Sequence, residues 1–162
     1  MNANRLVLRR ARGEDAADVA ALWHDSWHAT HAPYSDPDVV AWRRFDWFLG
    51  RAVGIVKSAY VAERGQRTVA FVAWDHDKLG QLFVDHTEYG RGAADLLLKA
   101  AELAMAGNGV TQAYLYCRTT NARALHFYQK RGWVKDGEIV EQLICATGTR
   151  PSAVWRLGKS LP

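Results

Sequence analysis

The sequence predicts an α/β protein in which a mixed central sheet carries helices on both faces. Strand-like alternation and helical spacing are interleaved along the 162 residues, in the order β, α, α, β, β, β, α, β, α, β, β. Strand–helix–strand units in the second half favour parallel pairing, whereas the short connections between neighbouring strands favour antiparallel hairpins. A mixed sheet with helices packed on its two faces accommodates both kinds of pairing.

The first half of the chain predicts one strand, two helices and a hairpin. RLVLRRA alternates as a strand does, and GEDAADVAALWHDSWHATH has helical spacing in Val19, Trp23 and Trp27. SDPDVVAWRRFDWFLGR predicts a second helix, with Asp36 as its N-cap and Pro37 at its first position. SAYVAE and TVAFVAWD are strand-like, and the turn RGQR between them predicts a hairpin.

The second half predicts four strands and two helices. LGQLFVD is a short apolar strand, and GAADLLLKAAELAMAGNG is a helix that ends at Gly107 and Gly109. TQAYLYCR is a strand that leads into NARALHFYQKRGW, a short helix with Asn121 as N-cap and Gly132 just past its end. GWVKDGEIVEQ and SAVWRLG are the closing strands. We expect residues 1–162 to form a single domain, because this length suits one hydrophobic core.

Composition narrows the class of protein. Hydrophobic residues make up 49% and charged residues 23% of the sequence, as in ordinary globular domains. No apolar run approaches the roughly 20 residues of a membrane span, and the N-terminal stretch has no apolar signal core. Cys117 and Cys145 are too few for a disulfide framework and fit no zinc motif. We therefore expect a cytoplasmic protein with reduced thiols and no membrane partner.

The net charge raises the question of a nucleic-acid partner, because the formal charge is +4 and the pI is near 9.2. The basic residues are scattered in short pairs, such as Arg9–Arg10 and Lys130–Arg131, and form no long cluster. A protein that binds a polyanionic small molecule shows the same excess of positive charge. Nucleic acid is therefore not expected as a partner.

The most informative segment is LFVDHTEYGRGAADLLLKAAE, in which a Gly-rich loop connects a strand to the strongest predicted helix. Residues 90–94 read Gly-Arg-Gly-Ala-Ala, so the amides at the helix N-terminus are open to an anion. Arg91 offers a further phosphate contact. The Walker pattern is absent, and Asp95 stands where a Rossmann fingerprint requires Gly. The loop therefore predicts a diphosphate site of neither familiar kind.

EYGRGAADLLL, followed about thirty residues later by NARALHFYQKRGW, resembles the GCN5-related N-acetyltransferase (GNAT) superfamily. The resemblance extends from LVLRRARGEDAADVAALW to AVWRL, and it implies a mostly antiparallel sheet and acetyl-CoA as co-substrate. The family motif is Gln or Arg, two residues, Gly, one residue, then Gly or Ala. Gly92 and Ala94 match this motif, whereas Tyr89 stands where Gln or Arg is usual.

The resemblance also implies which residues bind the cofactor and which one acts in catalysis. Backbone groups near Phe83 and Val84 would bind the pantetheine arm, and Asn121 would hydrogen-bond to it. The diphosphate would lie on the loop formed by Tyr89, Gly90, Arg91, Gly92, Ala93 and Ala94. Tyr128 would direct its hydroxyl at the thioester sulfur, because a donor there stabilises the leaving thiolate. Core packing alone is the alternative for Tyr128, and helix capping alone is the alternative for Asn121.

The sequence leaves the general base open. Many members of the family have a carboxylate near the start of the strand before the Gly-rich loop, where this chain has Gly80 and Gln81. The candidates nearby are Asp75, His76, Asp77, Asp85 and His86. His76 has the most suitable intrinsic pKa, but DHDK is also a good polar turn. Proton transfer to water requires no protein base.

Two groups of residues in the N-terminal helices are further candidates. His24, His28 and His31 have helical spacing and indicate a polar helix face in preference to a metal site, so no metal is expected. The tryptophans of this region are Trp23, Trp27, Trp42 and Trp47. They predict either core packing or an aromatic wall for an apolar or cationic acceptor. Trp47 and Phe48 are adjacent on a helix and face different ways, so one of them is free for a groove or a homodimer contact.

We therefore expect an N-acetyltransferase that transfers acetyl directly from acetyl-CoA to a primary amine in a ternary complex. A small molecule is the first acceptor class, followed by a protein or peptide amine and then by aminoacyl-tRNA. A non-catalytic acyl-CoA-binding or sensing module is the rival from another class. The absence of a carboxylate at Gly80 and Gln81 favours the rival, and the presence of Tyr128 counts against it.

Overall fold

The computed structural model describes residues 4–162 as a seven-stranded sheet with helices packed on both faces. The helices are α1 (Ala16–Thr30), α2 (Pro37–Trp42), α3 (Phe45–Ile55), α4 (Ala93–Gly107) and α5 (Ala122–Gln129). The strands are β1 (Leu6–Arg10), β2 (Ala59–Arg64), β3 (Arg67–Asp75), β4 (Lys78–Val84), β5 (Gln112–Arg118), β6 (Val134–Cys145) and β7 (Gly148–Ser160). No helix within residues 4–162 combines the length and the apolar character that a membrane span requires.

The sheet has the strand order β1-β2-β3-β4-β5-β7-β6, and every neighbouring pair is antiparallel except β4 and β5. Alternation along the strands divides the core into two clusters. Val61 and Phe71 belong to the cluster with helices α1 and α3, whereas Ala62 and Val72 belong to the cluster with α4. The predicted fold class, a mixed and mostly antiparallel sheet between two helical layers, is confirmed.

The segment predicted as one long second helix forms two helices. Asp36 caps α2 as expected, since its Oδ1 accepts a hydrogen bond from the backbone N–H of Asp38 at 2.9 Å. The helix ends at Arg43, whose φ of −79° and ψ of 61° are not helical. The sequence has no Gly or Pro at this point, so local signals do not reveal the break. The change of direction lets α3 bury Phe48 against Trp23 of α1, with the ring centroids 5.3 Å apart.

Strands β4 and β5 part soon after they meet. Their pairing ends at Leu79 and Leu115. Beyond this point β4 continues along β3 to Val84, and β5 continues along β7 to Arg118. The sheet is therefore split at the carboxyl ends of its two parallel strands, and a cleft opens there.

Helix α5 is fixed beside this cleft by the residues that follow it. Gly132 has φ of +85°, the left-handed conformation expected just past a helix end. The turn directs Trp133 into the core, where it is fully buried and its Nε1 donates to Glu102 of α4 at 2.9 Å. Lys159 of β7 donates to the same carboxylate at 2.9 Å. Helices α4 and α5 are thereby joined in a fixed relative position.

Candidate active site

The cleft between β4 and β5 has a volume of about 710 Å³ and is lined by residues from the strands and helices that surround it. It brings together all but one of the residues named above for cofactor binding and catalysis. Those that line it are Phe83, Val84, Tyr89, Gly90, Gly92, Ala93, Ala94, Asn121 and Tyr128. The guanidinium of Arg91 is turned to Glu88, at 3.1 Å, and Arg91 does not line the cleft.

The Gly-rich loop presents open backbone to the cleft. Gly90 and Gly92 have φ of +73° and +88°, a conformation that L side chains rarely adopt. Gly92 precedes the first residue of α4 and provides no side-chain cap, so the N–H groups of the first helical turn lack this partner. A Cβ added at either glycine would meet no atom within 4 Å. The loop therefore has the free space and the donors that a diphosphate requires.

Glu88 anchors the loop, and sequence reasoning did not single it out. Its side chain is only 2% exposed, and both carboxylate oxygens accept hydrogen bonds from Arg64 of β2 at 2.8 Å. The Arg64 guanidinium holds the pKa of Glu88 below its usual range, so the carboxylate stays charged. In sequence, a glutamate between Thr87 and Tyr89 has the pattern of a solvated turn. Its partner is distant along the chain, so no local signal identifies it.

Tyr89, at the position where the family motif has Gln or Arg, carries a cation from another element. The guanidinium carbon of Arg123 on α5 lies 3.9 Å from the centre of the Tyr89 ring. Both residues line the cleft beside the Gly-rich loop. A stacked guanidinium uses its face and keeps its N–H donors free in its plane. A positive side chain therefore stands beside the loop even though position 89 itself is not basic.

Tyr128 lies at the inner wall of the cleft. Its ring makes edge contacts with Phe127 and Trp133, with centroids 5.2 Å and 6.2 Å away. Burial raises the pKa of Tyr128 well above its ordinary value, and the neighbouring Cys117 adds to this increase. The phenol therefore keeps its proton at neutral pH and acts as a hydrogen-bond donor. Burial also raises the pKa of Cys117 to about 11, so this thiol is a poor nucleophile.

Asn121 caps α5 and also faces the cleft. Its Oδ1 accepts a hydrogen bond from the backbone N–H of Ala124 at 3.1 Å. The cap occupies the side-chain oxygen and leaves the amide –NH₂ as a donor. The residue therefore combines a structural contact with a free hydrogen-bonding group at the cleft.

The structure brings none of the five proposed bases to the cleft. The side chains of Asp75 and His76 are exposed in the turn between β3 and β4, and Asp77 is exposed beside them. Asp85 is the N-cap of a short turn, since its Oδ1 accepts from the backbone N–H of Thr87 at 2.9 Å. Local proximity in sequence suggested these residues, but the strands direct them elsewhere.

The N-terminal helices supply the opposite end of the cleft. Of the residues considered in them, Trp23, Trp27, Trp47 and His31 line the cleft, whereas Trp42, His24 and His28 do not. The His31 ring stacks on Trp27 with centroids 6.1 Å apart and an interplanar angle of 7°. Within residues 4–162, no group of three or more His, Cys, Asp or Glu side chains is arranged to hold a metal ion.

Sequence reasoning missed four charged residues at this end. They are Arg43, Arg51, Arg118 and Glu141. Glu141 lies on β6 opposite Ser152 of β7, and this pairing brings it to the cleft from a distant part of the chain. Among the acidic residues that line the cleft, Glu88 and Asp95 are paired with arginines. Glu141 has no basic group within 4.0 Å among the described residues.

Comparison with known proteins agrees with this fold. Residues 56–135, about half of the chain, match the family model described as acetyltransferase (GNAT) domain. With the split mixed sheet and the Gly-rich loop before α4, this match places the chain in the GCN5-related N-acetyltransferase superfamily, as the sequence resemblance predicted. A search of curated proteins found no significant match.

Solved structures share the fold over nearly the whole chain. PaiA N-acetyltransferase from Thermoplasma acidophilum, in complex with coenzyme A, is 16% identical with a TM-score of 0.77, covering 96% of this chain and 99% of that one. A GCN5-related N-acetyltransferase from Rhodopseudomonas palustris is 22% identical with a TM-score of 0.75, covering 96% and 95%. YncA from Salmonella typhimurium, a putative acetyltransferase with its cofactor acetyl-CoA, is 15% identical with a TM-score of 0.69, covering 98% and 95%. At these identities the likeness concerns the fold.

Proposed function

We propose that this protein is an acetyl-CoA-dependent N-acetyltransferase that transfers the acetyl group directly to the primary amine of a small molecule. One observation supports this most strongly: the Gly-rich loop at the N-terminus of α4 and the Tyr128 hydroxyl-bearing ring belong to the same cleft. Binding of acetyl-CoA requires a site for its diphosphate, and acetyl transfer benefits from a hydrogen-bond donor near its thioester. The cleft offers both. In this proposal residues 1–162 form one acetyltransferase domain.

The cofactor would lie along the parting of β4 and β5. Amides of Gly90, Gly92 and the first turn of α4 would bind the diphosphate, and the Arg123 side chain stacked on Tyr89 would add a charge-assisted contact. Backbone groups of β4 near Phe83 no longer pair with β5, so they are available to the pantetheine arm. The free amide of Asn121 would donate to the same arm.

Catalysis would require a donor to the leaving group. The amine attacks the thioester carbonyl, the C–S bond breaks, and the electron pair leaves on sulfur as a thiolate. Because the pKa of Tyr128 is raised by burial, the phenol holds its proton and stabilises the developing charge through a hydrogen bond. A positioned donor of this kind contributes on the order of 10²–10⁴ in rate.

The acceptor ammonium has to lose its proton before attack, and we assign this step to Glu141. It is the cleft carboxylate that has no arginine within 4.0 Å among the described residues, whereas Glu88 and Asp95 are paired. Burial and the positive charges of Arg118 and Arg43 lower the pKa of His31 to about 4, so this imidazole is a weak base. Glu141→Gln should lower kcat/KM at pH 7 on the order of tenfold or more, with the loss recovering as the pH approaches the pKa of the amine. An unchanged pH–rate profile would remove Glu141 from this step.

The experiment that tests the proposed function has two parts. Calorimetric titration with acetyl-CoA, and with 3′-dephospho-CoA alongside, should show saturable binding at one site. Thiol release in the presence of a panel of amines then measures turnover. Tyr128→Phe keeps the ring contacts with Phe127 and Trp133, so we expect turnover to fall at least about tenfold while acetyl-CoA affinity changes only a few-fold.

Each outcome distinguishes the alternatives. Equal turnover in Tyr128→Phe would exclude Tyr128 as the donor. Binding of acetyl-CoA without turnover on any small amine, peptide or aminoacyl-tRNA would indicate a sensing module. Absence of binding would mean that the cleft does not take this cofactor.

A further inference from the structure

Three arginine side chains line the N-terminal end of the cleft without a carboxylate partner. Arg43 follows α2, Arg51 belongs to α3, and Arg118 ends β5. None of the three has an Asp or Glu oxygen within 4.0 Å among residues 4–162. Elsewhere in the chain, buried and half-buried arginines such as Arg9 and Arg64 do have such partners. The concentration of positive charge here is therefore specific to the cleft.

These guanidinium groups are held by contacts that leave their donors free. Arg43 lies 3.7 Å from the ring centre of Trp47, and Arg51 lies 4.9 Å from the same ring. Stacking engages the guanidinium face and leaves the N–H groups in its plane available. Arg118 uses only Nη2, which donates to the carbonyl of Tyr34 and to Ser35 Oγ at 3.3 Å each. Each of the three side chains therefore has a contact with the protein and keeps N–H donors free for a ligand.

The same contacts decide against a cationic group bound on the tryptophan surface. Arg43 and Arg51 both lie over the ring of Trp47, and Arg51 also lies 5.7 Å from the ring centre of Trp23. The aromatic surface that sequence reasoning considered for an apolar or cationic group is therefore engaged by the protein's own cations. A second cation placed here would meet three guanidinium charges.

The electrostatics of the cluster favour an anion. Burial, with the charges of Arg51 and Arg118, lowers the pKa of Arg43 to about 10, so it remains charged at neutral pH. Its Nε is buried and has no hydrogen-bond partner among the described residues. Glu141 is the acidic group that offsets this charge, and one carboxylate balances one of three guanidinium groups. A bound anion would relieve both the repulsion and the unsatisfied donor.

We propose that Arg43, Arg51 and Arg118 form an anion subsite, and that the acceptor is an amine that also carries an anionic oxygen group such as a carboxylate. This inference rests on the proposed function, since it names the acceptor class of the same cleft. The anionic group binds to the guanidinium donors, and Glu141 faces the amine. An amino acid is the simplest molecule with both groups, and a phosphonate analogue has the same chemistry with a different oxyanion.

The kinetic test compares acceptors that share the same amine and side chain but differ in the group that would bind to the arginines. L-phenylalanine, L-phenylalaninamide and the phosphonate analogue of phenylalanine are assayed by thiol release, with rates expressed per neutral amine. We expect kcat/KM to be about 10- to 100-fold higher for the acid than for the amide, the range for hydrogen bonds to charged groups. The phosphonate arm shows whether the subsite takes a carboxylate alone or oxyanions in general.

Arginine variants show which side chain causes the preference for the acid over the amide. Arg43→Gln should reduce the acid-to-amide ratio to within about threefold of one, because the hydrogen bonds to the anionic group are made only by the acid. Arg44→Gln is the matched control, because Arg44 is the exposed neighbour and does not line the cleft. Arg44→Gln should keep the wild-type ratio. A ratio near one in the wild-type enzyme, or a ratio that survives Arg43→Gln, would overturn the inference.

A binding measurement separates this inference from the proposed function. N-acetylphenylalanine and its amide are titrated in the presence of coenzyme A, followed by fluorescence of the tryptophans that the arginines contact. We expect the acid to bind at least about tenfold more tightly, and Arg43→Gln to abolish the difference. This result without turnover on any amine would support the subsite and contradict the transferase. Turnover together with equal binding of N-acetylphenylalanine and its amide would support the transferase and contradict the anion subsite.

Discussion

The imidazole of His31 couples the N-terminal end of the cleft to the stability of the fold. Burial, and the charges of Arg118 and Arg43, lower its pKa from 6.5 to about 4 in the folded protein. Because the pKa of His31 is lower in the folded state, the unfolded state binds more protons than the folded state between about pH 6.5 and pH 4. The stabilisation from neutral His31 is therefore complete above about pH 6.5 and is lost as the pH falls towards 4.

The size of the effect follows from these two values. Integration of the proton-binding difference between pH 7 and pH 5 gives a loss of about 2 kcal/mol in the free energy of unfolding. Substitution of His31 by Gln removes the titrating group and keeps a polar side chain of similar length. We therefore expect the wild-type protein to lose about 2 kcal/mol more than His31→Gln over this interval.

Urea unfolding at pH 7 and pH 5 measures the difference. His86→Gln is the matched control, because the His86 side chain is 85% exposed and does not line the cleft. Between pH 7 and pH 5, His86→Gln should lose as much free energy of unfolding as the wild type. If His31→Gln and the wild type lose stability equally, His31 does not titrate with a lowered pKa, and the effects assigned to its burial and to the charges of Arg118 and Arg43 are both refuted.

Two further predictions concern the Gly-rich loop. Arg123→Ala should weaken acetyl-CoA binding on the order of tenfold, because it removes the cation stacked on Tyr89, whereas Arg91→Ala should change affinity less than threefold, because Arg91 is turned to Glu88. Calorimetric titration measures the acetyl-CoA affinity of both variants. Equal losses of affinity would refute the assignment of Arg123 to cofactor binding. Glu88→Gln should lower the free energy of unfolding by about 1–2 kcal/mol at pH 7, because it weakens the charge-assisted hydrogen bonds of a carboxylate that is only 2% exposed. Glu14→Gln, in an exposed pair, should change it by less than about 0.5 kcal/mol in the same urea titration, and a similar loss in both would contradict the anchoring role.

The parts of the fold that local chemistry encodes were predictable from the sequence. Helix α4 and its Gly-rich start follow from Ala and Leu content and from two glycines, and Gly132 has the positive φ that its place after a helix requires. The break at Arg43 was not predictable, because helical spacing continues across it. Tertiary stacking of Arg43 on Trp47 accompanies the break there.

The site was predictable only where its residues are close to the motif. The loop glycines, Asn121 and Tyr128 lie in two short segments, and the cleft includes them. Glu141 reaches the same cleft because β6 pairs with β7 in a register that places it opposite Ser152. A long-range register of this kind has no local signal. The five proposed bases were chosen by proximity in sequence, which the parting of β4 and β5 does not preserve in space.

The arginine cluster also bears on how the acceptor loses its proton. A positive field destabilises any ammonium placed in it, as it destabilises protonated His31. In the proposed mode of binding, this field opposes the effects of Glu141 and of the acceptor's own anionic group, both of which favour the ammonium. Under this proposal, the guanidinium groups that bind the anionic end of the acceptor also offset part of the stabilisation that Glu141 gives to the ammonium. In this proposal the proton still passes to Glu141, and the pH–rate profile of Glu141→Gln tests that step.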